Sequence, residues 1–111
     1  MSKDGLLGTF EEQVLLALVH DGDESYGMQI RRQIEERLGR NVAIGAVYAT
    51  LDRLEQKGMV SSRLADSEPV RRGRPRRYFH LEAAGVTALQ EARDAHARMW
   101  QGVELGSKAG E

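Results

Sequence analysis

At Gly58 the spacing of apolar residues changes, and that change limits what the chain can fold into. Upstream, three segments repeat at a helical period. In T-F-E-E-Q-V-L-L-A-L-V-H, residues 9–20, Phe10, Val14 and Leu18 fall on one stripe with Leu15 beside it. Thr9 followed by Glu12 predicts a capping box at its start, and Asp21-Gly22-Asp23 predicts its end. A second helix is predicted over 25–38, with Ser25 as cap, Ile30, Ile34 and Leu38 in a row, and Gly39 as the stop. After a short connection at 40–43, the third is predicted over about 44–58, burying Ile44, Val47, Leu51 and Leu54 and leaving Tyr48, Thr50, Asp52, Arg53 and Lys57 on other faces. Downstream the period is two. M-V-S-S-R-L alternates Val60, Ser62 and Leu64, and R-R-Y-F-H-L reads as a second strand. Pro69, Gly73 and Pro75 keep regular structure out of the stretch between them. Three helices therefore lead into a hairpin.

A last helix is predicted from about 82 to 104. Leu89, Ala92, His96, Met99 and Val103 step by three and four, a heptad seam that nothing later in the sequence covers. Residues 82–105 are thus expected to pair two copies of the chain, with 1–81 as a separate unit and 106–111 as a flexible tail.

The 111 residues carry a formal net charge of only −1, but the charge is unevenly spread. From Arg31 to Leu81 there are twelve Lys/Arg against six Asp/Glu; the remainder holds four against eleven. Five arginines, Arg71, Arg72, Arg74, Arg76 and Arg77, fall within seven positions at the hairpin. Such a block suits a polyanion, although a solvated mixed-charge surface has the same composition. There is no cysteine, which removes disulfides and thiolate metal sites and fits a cytoplasmic location. No apolar run approaches the ~18 residues of a membrane span, and the first residues do not form a secretion signal. His20, His80 and His96 lack metal-ligand spacing. No phosphate-binding Gly-Lys-Ser/Thr loop, His-Glu-x-x-His or G-x-S-x-G occurs, and the pairs Glu11-Glu12 and Glu35-Glu36 point apart on their helices. Neither catalysis nor a cofactor or metal is expected.

Three helices followed by a basic hairpin is the order of a winged helix-turn-helix, mainly α with a small β-hairpin, in which the third helix enters the major groove and the wing reaches a neighbouring groove or phosphates. Arginine supplies a fixed fork of donors for phosphate oxygens or guanine edges. R-G-R-P also resembles an AT-hook, but strand patterns flank it, so it reads as a wing tip with the minor groove as a target.

The sequence more specifically resembles the PadR family of bacterial transcriptional regulators. L-L-A-L-V with Y-G-M-Q-I, then G-A-V-Y-A-T-L-D-R-L-E-Q-K-G-M-V, then G-R-P-R-R-Y-F-H-L followed by A-A-G carry the likeness over roughly residues 6–87. The single C-terminal helix is similar to that of the smaller members. The resemblance implies a homodimer on a palindromic operator in double-stranded DNA, usually repressing, in some members released by a ligand. It implies DNA contacts from Tyr48 in the third helix and Arg74, Arg76 and Arg77 in the wing; Thr50, Arg53, Lys57, Arg71 and Arg72 are further candidates. Two departures stand out: Ala43 and Ala46 replace the family's frequent Ser or Thr near the start of the third helix, and Ala49 replaces its proline after the tyrosine. Glu55 is expected to be a salt-bridge partner. Phe10, Leu89, Ala92, His96, Met99, Trp100 and Val103 are the expected dimer contacts. For Trp100 and His96 the resemblance also allows a planar aromatic ligand between paired helices. The competing reading is a winged helix that binds protein and not DNA, against which the five arginines argue.

Overall fold

The computed structural model describes residues 5–65 and 76–106. The protein is mainly helical with a small three-stranded antiparallel sheet. Helices α1 (Thr9–His20), α2 (Gly27–Leu38) and α3 (Ile44–Gln56) form the body; β1 (Glu24–Tyr26), β2 (Val60–Leu64) and β3 (Arg77–Leu81) form the sheet; α4 (Ala83–Trp100) follows.

The apolar stripes meet as their periods require. Val14, Leu15 and Leu18 of α1, Ile30 and Ile34 of α2, and Val47, Leu51 and Leu54 of α3 enclose one core, closed on the sheet side by Val60, Phe79 and Leu81. Phe79 is the largest fully buried side chain.

Several local expectations are corrected. Thr9 is the first helical residue and not the cap. Gly8 occupies that position, and its N–H donates to Oε1 of Glu11 at 3.1 Å, so the reaching carboxylate is Glu11 and not Glu12. Ser25 does not cap α2. It lies in β1, with Tyr26 as the residue before the helix, and its buried Oγ has no hydrogen-bond partner among the described residues. The sheet therefore has three strands in the order β1-β3-β2, not two. Glu24, Ser25 and Tyr26 lie opposite His80, Phe79 and Tyr78, and Val60 to Leu64 run opposite Leu81 to Arg77. Of the alternating residues in β2, Val60 is buried but Leu64 is exposed, while its neighbour Ala65 is buried. The ladder continues one step further, with the Ala65 N–H on the Arg76 carbonyl at 2.9 Å.

The last helix ends at Trp100, short of the expected 104. Its start is pinned to the β2 root: the Glu82 N–H donates to the Met59 carbonyl at 3.0 Å, and Gly85 packs so closely there that a Cβ would lie 2.6 Å from the same oxygen. Among the described residues, no helix is long and apolar enough to cross a membrane.

Candidate nucleic-acid interface

Helix α3 buries Val47, Thr50, Leu51 and Leu54 and turns Gly45, Ala46, Tyr48, Ala49, Asp52, Arg53 and Gln56 outward. Its angle is set from α2. Oε2 of Glu35 accepts the Val42 N–H at 2.9 Å and the Arg31 Nε–H at 3.3 Å, tying α2 to the turn that leads into α3. The Val42 hydrogen bond chiefly, with Arg31 beside it, holds the Glu35 carboxyl below the usual carboxylate range against an opposing desolvation effect. At the start of α3, Ala43 provides no side-chain cap, as the departure from Ser or Thr implies.

Tyr48 rests on the first residue of α2. A Cβ at Gly27 would lie 2.4 Å from Cζ of Tyr48 and 2.6 Å from its hydroxyl, so only glycine lets the ring settle there. The ring stays 37% exposed, half seated and half outward.

The far end of α3 is governed by Glu11 of α1. Its Oε2 accepts from Nζ of Lys57 at 3.0 Å and lies 3.9 Å from Nε of Arg53, while Oε1 takes the Gly8 N–H. Burial alone raises this carboxyl's pKa. The Lys57 hydrogen bond, the Gly8 N–H and the two cations outweigh it and leave the group below its ordinary value.

The wing is bound to α3 by Arg77, which reaches Glu55 at 2.7 Å, Asp52 at 3.6 Å and the Ser62 hydroxyl at 3.1 Å, and lies over the Phe79 ring at 4.8 Å. Ser62 in turn donates to Glu55 at 2.7 Å. Helix and hairpin thus form one surface, with Ala46, Tyr48 and Ala49 on one side and the wing root on the other.

The sequence model of the transcriptional regulator PadR-like family matches residues 15–91, which hold α1 from Leu15, the sheet and half of α4. The chain belongs to this family. The PadR-like chain also has the fold of solved winged-helix proteins. It is similar to H. salinarum RosR in the hsRosR-S1 complex (25% identity, 87% of this chain and 79% of that one, TM-score 0.68). A winged-helix DNA-binding protein from STIV shares the fold at 15% identity (90% of this chain, 100% of that one, TM-score 0.71). So does a PadR family transcription regulator from Clostridium difficile R20291 at 23% identity (79% and 88%, TM-score 0.59). No curated protein matches the sequence.

Within the PadR-like fold the expected contact residues fare differently. Thr50 is a correction: it is 1% exposed, and its hydroxyl accepts from Nη2 of Arg53 at 3.0 Å, so it faces the core and not DNA. Tyr48, Arg53 and Lys57 keep exposed surface on α3 or at its end, the last two drawn toward Glu11. Glu55 is a salt-bridge partner. Arg76 lies over the Tyr26 ring at 4.1 Å. Arg71, Arg72 and Arg74, the R-G-R-P core and the residues after 106 lie outside the described residues.

The C-terminal seam divides. Ala92 is 1% exposed and Leu89 half-buried, both covered by their own chain; Phe10 is likewise packed on the core. As free dimer contacts Ala92 and, in part, Leu89 and Phe10 are thus corrected: α4 lies on α1 of the same protomer along this half. His96 reaches Glu12 at 3.3 Å. Beyond it Met99 is 78% and Trp100 58% exposed, and Val103, past the helix end, is exposed with Leu105. A groove of about 490 Å3 runs between α1 and α4, lined by Leu16, Val19, Leu81, Val86, Leu89 and His96 among others.

Sequence reasoning missed Glu11, Gly27 and Leu105. The first two were signalled: a carboxylate on an apolar stripe, and a glycine opening an otherwise good helix.

Proposed function

We propose that this chain is a cytoplasmic, sequence-specific transcriptional repressor that binds a palindromic operator as a homodimer. The observation that carries this is the junction of α3 and wing through Arg77, which holds a helix with small side chains outward on its first turns and a basic hairpin as one surface. Ala46 and Ala49 suit close approach to base edges and thymine methyl groups, Tyr48 and the wing arginines suit phosphates. The exposed end of α4, Met99 and Trp100 with Val103 and Leu105 beyond, supplies an apolar surface for the second copy. Two-fold pairing puts half-sites about one turn, ~10 bp, or a multiple apart. The proposed domain plan is 1–81 for DNA and 82–105 for pairing. Release by a planar aromatic ligand against Trp100 is part of the proposal; quenching of the single tryptophan with loss of DNA binding tests it.

The test of the main reading is selection from a random duplex library followed by anisotropy at near-physiological salt with excess competitor DNA. A palindromic consensus bound in the presence of competitor is expected. Binding that competitor abolishes refutes sequence specificity, and none at low salt favours a protein-binding winged helix.

A further inference from the structure

We propose that Tyr26 is a positioning residue for the wing, its ring holding Arg76 so that Tyr26-Gly27 sets both DNA-facing elements from one point in the chain. Tyr26 is the last residue of β1 and the one before α2. Across the sheet it lies opposite Tyr78 of β3, which lies opposite Arg63 of β2. The two tyrosine rings meet edge to face, 5.8 Å apart at 84°. Arg76 lies 4.1 Å from the Tyr26 centroid and Arg63 4.9 Å from that of Tyr78, so a guanidinium stands on each ring. Arg76 is also the residue whose carbonyl accepts the Ala65 N–H, the outermost ladder bond among the described residues. The next residue after Tyr26, Gly27, is the seat of Tyr48 on α3. One dipeptide therefore supports the wing root through a ring and the recognition helix through the lack of a side chain.

The physical gain is preorganisation. An arginine side chain loses rotamer freedom when it docks on a phosphate, and a ring that already confines it removes part of that cost. Stacking uses the face of the guanidinium and not its N–H edge, so the ring contact itself does not compete with a phosphate contact.

The role rests on the DNA-binding reading above, and the test separates the two. The duplex selected by the unmodified protein is titrated at several salt concentrations with the wild type, Tyr26→Leu, Tyr26→Phe, Arg76→Ala and the Tyr26→Leu/Arg76→Ala pair. Tyr26→Leu is expected to weaken binding about two- to five-fold, the size of an exposed cation–π contact. It should move the salt slope toward that of Arg76→Ala, and Tyr26→Phe should restore both. The double variant should bind no more weakly than Arg76→Ala alone, since Tyr26 acts through Arg76. In the DNA-free protein, the Arg76 side-chain NMR signals should carry a ring-current shift that Tyr26→Leu removes and Tyr26→Phe keeps. Additive losses with an unchanged salt slope overturn the role and leave Tyr26 a packing residue. If the shift is present but the wild type selects no DNA, the regulator reading fails and this role with it. If DNA is bound but the shift is absent, the positioning role alone fails.

Discussion

Replacing Glu11 by Gln separates what this carboxylate does for the fold from what it does to Lys57 and Arg53, the cations of the proposed DNA surface. The side chain is 12% exposed and serves two elements, taking the Gly8 N–H with one oxygen and Lys57 with the other. Glutamine keeps a carbonyl oxygen for Gly8 but loses the charge that holds Lys57 and Arg53. One charge-assisted hydrogen bond is lost, but Lys57 and Arg53, 38% and 54% exposed, regain water. A loss of about 1 kcal/mol is expected, or roughly 4–8 °C in Tm. The pH dependence has a definite sign. The folded Glu11 carboxyl lies below its unfolded value of about 4.3, so its contribution is complete above that pH and disappears as pH falls through the lower folded pKa. Glu35 is lowered in the same direction and remains in the variant, so acid unfolding should become shallower but not vanish. On DNA the variant should gain: Lys57 and Arg53, released from α1, become available to phosphates, and the salt slope should steepen by about one for each new contact. Chemical unfolding from pH 2 to 7 and anisotropy across a salt series measure the two halves. A variant as stable as the parent at pH 7, with an identical acid limb, would refute the account of Glu11. Weaker binding with an unchanged slope would show instead that Glu11 presents Lys57 to DNA and does not restrain it.

The two close-packed glycines should respond to different degrees. At Gly85 an added methyl meets the Met59 carbonyl oxygen at 2.6 Å, a backbone atom that cannot rotate aside, so Gly85→Ala should cost about 2–3 kcal/mol, read from the urea midpoint; an unchanged midpoint refutes the packing of α4 on the β2 root. At Gly27 the obstacle is the end of the Tyr48 side chain, which can swing outward, so Gly27→Ala should change stability by less than about 1 kcal/mol while displacing the ring. DNA binding should nevertheless weaken about tenfold, equivalent to one lost contact of ~1.4 kcal/mol; full affinity would remove Tyr48 from the interface. Met99→Asp places a charge on the exposed apolar end of α4 and should give monomers by sedimentation velocity, whereas a persistent dimer would put the pairing surface elsewhere.

Why some of this was legible and some not comes down to position against residue type. The stripes Val14–Leu18, Ile30–Ile34 and Val47–Leu54 gave three helices because burial follows the 3.6-residue period whatever the sequence context. Strand β1 was hidden because three residues, Glu24–Tyr26, are too few to show alternation; it exists because β3 offers a second edge, as the Leu81 N–H on the Asp23 carbonyl at 2.9 Å attests. The C-terminal seam misled because a heptad pattern does not say which helix fills it, and α1 of the same chain covers its first half. The exposed face of α3 was misjudged for a different reason. Thr50 was left on an outer face with Tyr48 and Arg53, yet Val47, Thr50, Leu51 and Leu54 occupy i, i+3, i+4 and i+7, and all four are buried. Glu11, Val14, Leu15 and Leu18 repeat the same spacing on α1, again with one polar member inside. Both intruders bear on one cation: Thr50 accepts from Arg53, and Glu11 stands 3.9 Å from it. A polar side chain on an apolar stripe must find a partner at the rim of the core, and here the partners are the cations at the edge of the α3 surface. Outward on that helix are Gly45, Ala46, Tyr48, Ala49, Asp52, Arg53 and Gln56; with Arg53 drawn back toward Glu11 and Thr50, the proposed interface leaves close approach to base edges to the small side chains of the first turns.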